Sequence, residues 1–350
     1  MRLTAFFHPL ATLASVTMLA ALSLAGCGGT TPARPDAGTQ PALSSSAPPV
    51  RIGIALGGGA AKGFAHIGVI KMLEANGFAP AVVSGTSAGS VVGALYASGM
   101  NAFEMQEKAV ALDEAKIRDL QLSSGGLVLG QKLEDYVNEQ VRRKPLEQMA
   151  KPFVVVATRL EDGERTVFAR GNTGQAVRAS SSVPGVFQPV TIGKYHFVDG
   201  GIVSPVPVDA ARNLGADIVI AVDISNKASG KTPANMLGAL NQSIAIMGQK
   251  LGQAELARAD VIIRPQVLDI GSADFSQRTN AILEGEKAAL AVMPQIRERV
   301  AQLQAERANA ARAAQQKAAE AQYQTCLEKR SSLQKLAGMA RLDDSCTAPK

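Results

Sequence analysis

The chain has 350 residues, 46% hydrophobic and 19% charged, which is enough to bury a sizeable core in one large domain or two ordinary ones. Aromatic residues make up 4% with no tryptophan, so that core must be built from Ala, Val, Ile and Leu. The net charge of +6 is spread along the chain. Its one local cluster, Arg142-Arg143-Lys144, fits a solvated helix end, which speaks against a nucleic-acid partner.

The first 26 residues read as a targeting segment. Arg2 gives a positive start, and an apolar run from Ala11 to Leu24 follows, too short for an ordinary membrane-spanning helix. Leu24-Ala25-Gly26-Cys27 resembles the lipobox of bacterial lipoproteins, in which the cysteine is lipidated and becomes the first residue of the mature protein. Cys27 is therefore the expected lipidation site. Gly28 stands where an aspartate would favour inner-membrane retention, so the expected address is the outer membrane, facing the periplasm. Residues 27–50 carry the anchor and a Gly, Thr, Pro, Ala and Ser stretch without apolar periodicity, a flexible tether.

The body begins with a strand, Arg51 to Leu56, and a glycine loop, Gly57-Gly58-Gly59-Ala60-Ala61-Lys62-Gly63. Ile67, Ile70 and Leu73 give helical spacing over residues 64–76, and Gly77 stops that helix. A second strand runs into Gly85-Thr86-Ser87-Ala88-Gly89, followed by a small-residue helix through Tyr96. This β-α-β-α order predicts a parallel sheet with helices on its faces. Residues 101–150 read as mostly helical, a cap or side layer. Pro152 to Thr158 is a dense apolar run, the expected central strand. Shorter strands are expected at residues 164–170, at Tyr195 to Val198, at Asp217 to Asp223 and at Val261 to Ile263, with a helix from about Ser276 past Val300. The enzymatic domain is placed at 51–300. Residues 301–350 shift to Ala, Gln, Arg and Glu and read as a helical extension. With Cys27 lipidated, Cys326 and Cys346 remain, both in this tail. They form either one disulfide of an exported protein or two unpaired thiols.

Ser87 lies at the centre of G-x-S-x-G, between Gly85 and Gly89, the nucleophile-elbow pattern. A serine hydroxyl needs a base and an oxyanion site. Of the three histidines, His8 leaves with the targeting segment, while His66 and His196 read as structural. No histidine follows Asp199, so a triad in the order Ser, acid, His is excluded with that aspartate. Asp199, followed by Gly200 and Gly201 at a strand end, is either a turn aspartate or a carboxylate base. The glycine loop has two readings as well. As a dinucleotide fingerprint it is one residue too long, and no acidic residue ends the next strand. As an oxyanion hole it offers consecutive N–H groups near Gly58 and Gly59.

Taken together and in this order, the glycine loop, Gly85-Thr86-Ser87-Ala88-Gly89, Ala179-Ser180-Ser181-Ser182-Val183-Pro184 and Asp199-Gly200-Gly201 resemble the patatin-like phospholipase family. The likeness is greatest to its bacterial branch related to neuropathy target esterase, over roughly residues 51 to 300. The resemblance implies a three-layer α/β/α sandwich around a mostly parallel sheet. It also implies a Ser-Asp pair without histidine: Ser87 as nucleophile, Asp199 as base, and the loop Gly57, Gly58, Gly59 as oxyanion hole. Lys62 matches a basic position of that loop and carries no assigned step. The expected activity is hydrolysis of acyl esters, lipids above all, at the bacterial envelope, with no cofactor and no metal. The expected partners are an acyl lipid or ester and a membrane reached through the anchor, and no oligomeric state is implied. Two rivals stand beside it: a non-catalytic envelope lipoprotein that binds a partner through this fold and tail, and a nucleotide-dependent dehydrogenase, which the loop spacing weakens.

Overall fold

The structure is a computed structural model that describes residues 48–117, 119–123, 126–225, 227, 232, 236–337, 346 and 348. The expected targeting segment, Cys27 and most of the tether lie outside the described residues. Among the described residues, no helix is long and apolar enough to cross a membrane.

In chain order, β1 (Ile52–Leu56) leads through the glycine loop and a 3-10 turn into α1 (Ala65–Ala75). Then come β2 (Val82–Thr86), α2 (Ala88–Ala97) and α3 (Ala102–Val110). A small hairpin, β3 (Leu120–Ser123) and β4 (Gly126–Val128), precedes α4 (Gln131–Gln140). Next are β5 (Phe153–Arg159), β6 (Arg165–Phe168), α5 (Thr173–Ser180), β7 (Val190–Ile192) and β8 (Tyr195–Asp199). The chain closes with α6 (Val208–Asn213), β9 (Ile218–Val222), α7 (Met236–Leu256), β10 (Val261–Ile263) and α8 (Arg278–Ala337).

The main sheet runs β10-β9-β1-β2-β5-β8-β7, with β6 also on β5. β10, β9, β1, β2 and β5 are mutually parallel, while β6, β7 and β8 are antiparallel additions. The sheet is therefore mostly parallel and flanked by helices, as the sequence predicts. Alternation along the strands separates two cores. Ile52, Ile54 and Leu56 of β1 and Ile218, Ile220 and Val222 of β9 join a large cluster with α1, α2 and α8. Ala55, Val219 and Ala221 point the other way, to Val208 and Ala211 of α6 and Leu256 of α7. The small residues on that second face let the chain lie close there: a Cβ on Gly53 would stand 2.5 Å from Ala216 Cβ, just past α6, and 3.5 Å from Ala211 Cβ within it. Each fully buried Ile or Leu of the first core contributes on the order of 1.5–3 kcal/mol.

The expectation of a mostly helical segment at 101–150 is corrected in part, since β3 and β4 pair within it. The boundary expected at residue 300 falls inside α8, which continues unbroken to Ala337. Arg307 still clasps the body, donating to Pro48 O at 3.2 Å and Pro49 O at 3.4 Å and pairing with Asp217. Further along, Cys326 is disulfide-bonded to Cys346, with the Cα atoms 6.0 Å apart.

Register places the two candidate catalytic strands end to end. On β5, Val156 pairs with Thr86 of β2 and Val167 of β6, and Ala157 pairs with Thr166 of β6 and Asp199 of β8. A strand has only two edges, so β2 and β8 share one edge of β5 and meet there. β2 runs parallel to β5 and β8 antiparallel, so it is their C-terminal ends that converge. Ser87 and Asp199 sit at that junction.

Candidate active site

β2 is buried along its whole length and stops at Thr86, where the chain must turn sharply to start α2. Glycine makes the turn possible by close approach. A Cβ on Gly89 would lie 2.1 Å from Leu56 O, and one on Gly85 would lie 2.6 Å from Gly89 O. Between them Ser87 adopts φ 51° and ψ −124°, a conformation that costs an L-residue on the order of 1–3 kcal/mol. Its surroundings hold it there. Ser87 N–H donates to Ser180 Oγ at 2.8 Å, and Ser180 Oγ in turn donates to Val156 O at 2.5 Å. Ser90 Oγ donates to Ser87 O at 2.6 Å.

The Ser87 hydroxyl donates to Asp199 Oδ2 at 2.6 Å. Each of the two residues is 7% exposed. Asp199 Oδ1 accepts the Gly201 N–H at 2.7 Å, its backbone N–H donates to Ser182 O at 2.9 Å, and its carbonyl accepts Thr158 Oγ1 at 2.8 Å. The glycines after it are spatial requirements, since a Cβ on Gly200 would fall 2.1 Å from Val156 O. Burial pushes the Asp199 carboxyl up to about 6, against the opposing pull of the Ser87 and Gly201 hydrogen bonds. A carboxylate so raised is a stronger base than an exposed one and still ionised at neutral pH.

Neither histidine hydrogen-bonds to the serine. His66 is fully buried and its Nε2 lies 2.8 Å from Gly57 O. A carbonyl only accepts, so Nε2 carries the proton and the ring braces the glycine loop from behind. Burial lowers its pKa to about 4, which keeps it neutral. Nδ1 has no partner. His196 is at the surface, its Nδ1 2.8 Å from Glu161 Oε1. Lys62 is buried, and burial lowers its pKa against the pull of Asp223.

The glycine loop leans on the nucleophile: a Cβ on Gly58 would come 3.2 Å from Ser87 Cβ. Of the loop Gly57, Gly58 and Gly59 that the resemblance implies as oxyanion hole, two N–H groups already have partners. Gly57 N–H donates to Val222 O at 3.1 Å, continuing the β1–β9 ladder, and Gly58 N–H donates to Pro205 O at 3.0 Å. Among the described residues, the backbone N–H groups near the serine that have no partner include those of Gly59, Ala60, Ala88 and Gly89. Ala88 opens α2, where the helix dipole adds positive potential.

Residues 54–212 match the family model described as patatin-like phospholipase. An uncharacterized NTE family protein of Mycobacterium bovis is 35% identical over 188 residues, covering 53% of this chain and 52% of its own. The chain thus spans about half the length of that relative. Patatin-like phospholipase domain-containing protein 6 of Homo sapiens is 32% identical over 184 residues, 50% of this chain and 13% of its own. Among solved structures, VipD from Legionella pneumophila is similar at 16% identity and a TM-score of 0.41, covering 71% of this chain and 67% of that one. Ser87, Asp199 and the residues that hold them (Val156, Thr158, Ser180, Ser182) all fall in the patatin-like region. α7, β10 and α8 lie beyond it but pack into the same body. The sequence alone assigns no role to the serines of the Ala179–Pro184 block. Its serines turn out to be the link, Ser180 to the elbow and Ser182 to Asp199.

Proposed function

We propose that this chain is a serine acyl hydrolase, a phospholipase or esterase, that uses Ser87 and Asp199 as a dyad on acyl esters. Lipids are the substrate class that the match to the patatin-like phospholipase model supports. The observation that carries the reading is the 2.6 Å hydrogen bond from Ser87 Oγ, on a strained elbow, to a buried carboxylate.

The chemistry follows from that geometry. As Ser87 Oγ attacks the ester carbonyl, its proton passes to Asp199 Oδ2, already at hydrogen-bond distance. The free N–H groups of Gly59, Ala60 and Ala88 are among the donors available to the oxyanion. Collapse of the tetrahedral intermediate breaks the ester bond, and protonated Asp199 returns the proton to the departing alkoxide. Asp199 then takes a proton from water as that water attacks the acyl-serine, and returns it to Ser87 Oγ as the acyl–oxygen bond breaks, releasing the acid and restoring both residues. Ser87 strain and the paired carboxylate support this catalytic reading over a partner-binding lipoprotein, because a binding surface needs neither.

The same proposal places the protein at the bacterial envelope, held by lipid on Cys27 at the outer membrane. The envelope reading rests on the sequence Leu24-Ala25-Gly26-Cys27.

Two experiments test the parts separately. A fluorophosphonate probe should label wild-type protein at Ser87, and Ser87→Ala and Asp199→Ala should each abolish hydrolysis of a short-chain nitrophenyl ester with the fold intact. Full activity in Ser87→Ala sinks the mechanism. Cys27→Ser should move the expressed protein from the membrane fraction to the soluble one. Unchanged membrane recovery sinks the anchor.

A further inference from the structure

The segment Ser204–Pro207, between Asp199 and α6, touches every part of the proposed site. Ser204 N–H donates to Gly200 O at 2.8 Å, next to the base. Ser204 O accepts Thr86 Oγ1 at 2.8 Å, beside the nucleophile. Pro205 O accepts the Gly58 N–H at 3.0 Å, in the glycine loop, and Pro207 O accepts Ser84 Oγ at 2.7 Å, on β2.

This segment is itself held from outside the patatin-like region. Glu255, in the last turn of α7, is 4% exposed. Its Oε1 accepts the Ser204 hydroxyl, and its Oε2 accepts the Val206 N–H at 2.9 Å. Gly248 and Gly252 face the same segment, a Cβ on each standing 3.9 and 3.8 Å from the Pro205 side chain, ordinary packing distance. Burial pushes the Glu255 carboxyl upward, against these two hydrogen bonds and the nearby arginines, with Arg165 Nη1 4.0 Å from Oε1. A buried carboxylate is costly, and an apolar side chain would fill the space at less cost. What an apolar side chain could not do is satisfy the Ser204 hydroxyl and the Val206 N–H together.

We infer that Glu255 is a positioning residue for the proposed hydrolysis. Through Ser204 and Val206 it fixes the segment that sets the glycine loop and the elbow against Asp199. The inference rests on the Ser87–Asp199 reading for its effect on rate. Its structural half, that Glu255 fixes the glycine loop, stands independently.

The test compares Glu255→Leu, Glu255→Gln and Ser204→Ala in the full chain. Glutamine can accept the Val206 N–H through its oxygen and donate its NH2 to Ser204 Oγ, so it should rescue. Leucine leaves both donors unpaired. For a short-chain nitrophenyl ester, Glu255→Leu should lower kcat about 10-fold or more with KM within about 2-fold, and Glu255→Gln should stay within about 3-fold of wild type on both. Ser204→Ala, which removes one of the two bonds and covers the case that Glu255→Leu fails to fold, should lower kcat about 3-fold. Hydrogen exchange of the Gly57–Gly63 peptide should quicken in Glu255→Leu and in Ser204→Ala but not in Glu255→Gln. A Glu255→Leu protein with lower Tm but wild-type kcat per folded molecule and unchanged exchange of that peptide overturns the inference. So does a Ser204→Ala protein that matches wild type on both readouts. If wild type neither hydrolyses the ester nor labels at Ser87, the functional reading fails and exchange alone decides: unchanged protection overturns the positioning role, quickened exchange upholds it.

Discussion

Asp199→Asn separates the base from the fold. In the folded protein burial raises the Asp199 carboxyl from 3.8 to about 6, and the group is nearly fully enclosed. A raised acid favours the protonated folded form. Its contribution to stability is therefore fully present below about pH 3.8 and is lost as the pH rises through about 6. At roughly 1.4 kcal/mol per unit, the folded state at pH 8 carries a penalty on the order of 3 kcal/mol relative to acid. Asparagine has the same shape and never ionises. Its oxygen can accept the Gly201 N–H and its NH2 can donate to Ser87 Oγ, so both contacts survive. Urea unfolding of both proteins at pH 4 and pH 8 should show Asp199→Asn gaining on wild type by up to about 3 kcal/mol between the two. The same variant cannot take a proton, so its kcat should fall by about 10²–10⁴. Wild-type kcat/KM should rise with pH through an apparent pKa near 6. A stability difference that stays flat from pH 4 to 8, or an Asn variant that keeps the limb near 6, would refute the assignment of Asp199 as the buried base.

Three further outcomes follow from the same geometry. Ser180→Ala strands the buried Ser87 N–H and should cost about 1–3 kcal/mol, with a slower rate of fluorophosphonate labelling at Ser87; an unchanged urea midpoint would contradict the brace. His66 is buried neutral with its pKa lowered from 6.5 to about 4, so the stability tied to it is full above 6.5 and is lost as pH falls toward 4, by about 3 kcal/mol. His66→Gln, which can keep the donor to Gly57 O, should flatten that loss in unfolding measured from pH 7.5 to 4.5. Gly89→Ala drives a methyl to 2.1 Å from Leu56 O, backbone that cannot step aside, and should destabilise by about 3 kcal/mol or more; a wild-type melting temperature would show the elbow to be looser than described.

How much of this was legible in the sequence depended on where the signal lay. The order β1, glycine loop, α1, β2, elbow, α2 was readable because apolar runs are broken there by glycines that the turns require. β5 was readable from Phe153-Val154-Val155-Val156, apolar on both faces of a buried strand. The antiparallel pair β3–β4 was not, since the run Leu120 to Val128 has little alternation to mark two short strands. α7 was not expected either, because Gly238, Gly248 and Gly252 lower its helix propensity. The residue types of the site were legible, Ser87 from its pentapeptide and Asp199 from its glycines. Their meeting was not, because it depends on β8 running antiparallel along the edge of β5 that β2 vacates. Which loop N–H groups stay free was also beyond the sequence, since Val222 and Pro205 claim two of the three glycines from distant positions.

Two unfavourable features sit together at the site, a strained serine and a desolvated carboxylate, and under the proposed hydrolysis each has a chemical use. The strain presents Oγ beyond the sheet edge with Ala88 N–H free beside it. The desolvation raises the basicity of Asp199, which the proposed mechanism uses in place of a histidine. Both are held by hydrogen bonds to a ring of small residues, Ser90, Thr158, Ser180, Ser182 and Gly201, none of which can itself act as base at neutral pH. The division has a consequence for variants. Substitutions that relieve the desolvation, such as Asp199→Asn, stabilise and inactivate together, whereas substitutions in the ring destabilise and slow together. A survey of site variants should therefore show stability and rate falling in parallel around the ring and moving in opposite directions at Asp199. That change of sign is what separates a catalytic carboxylate from a turn aspartate that merely caps Gly201.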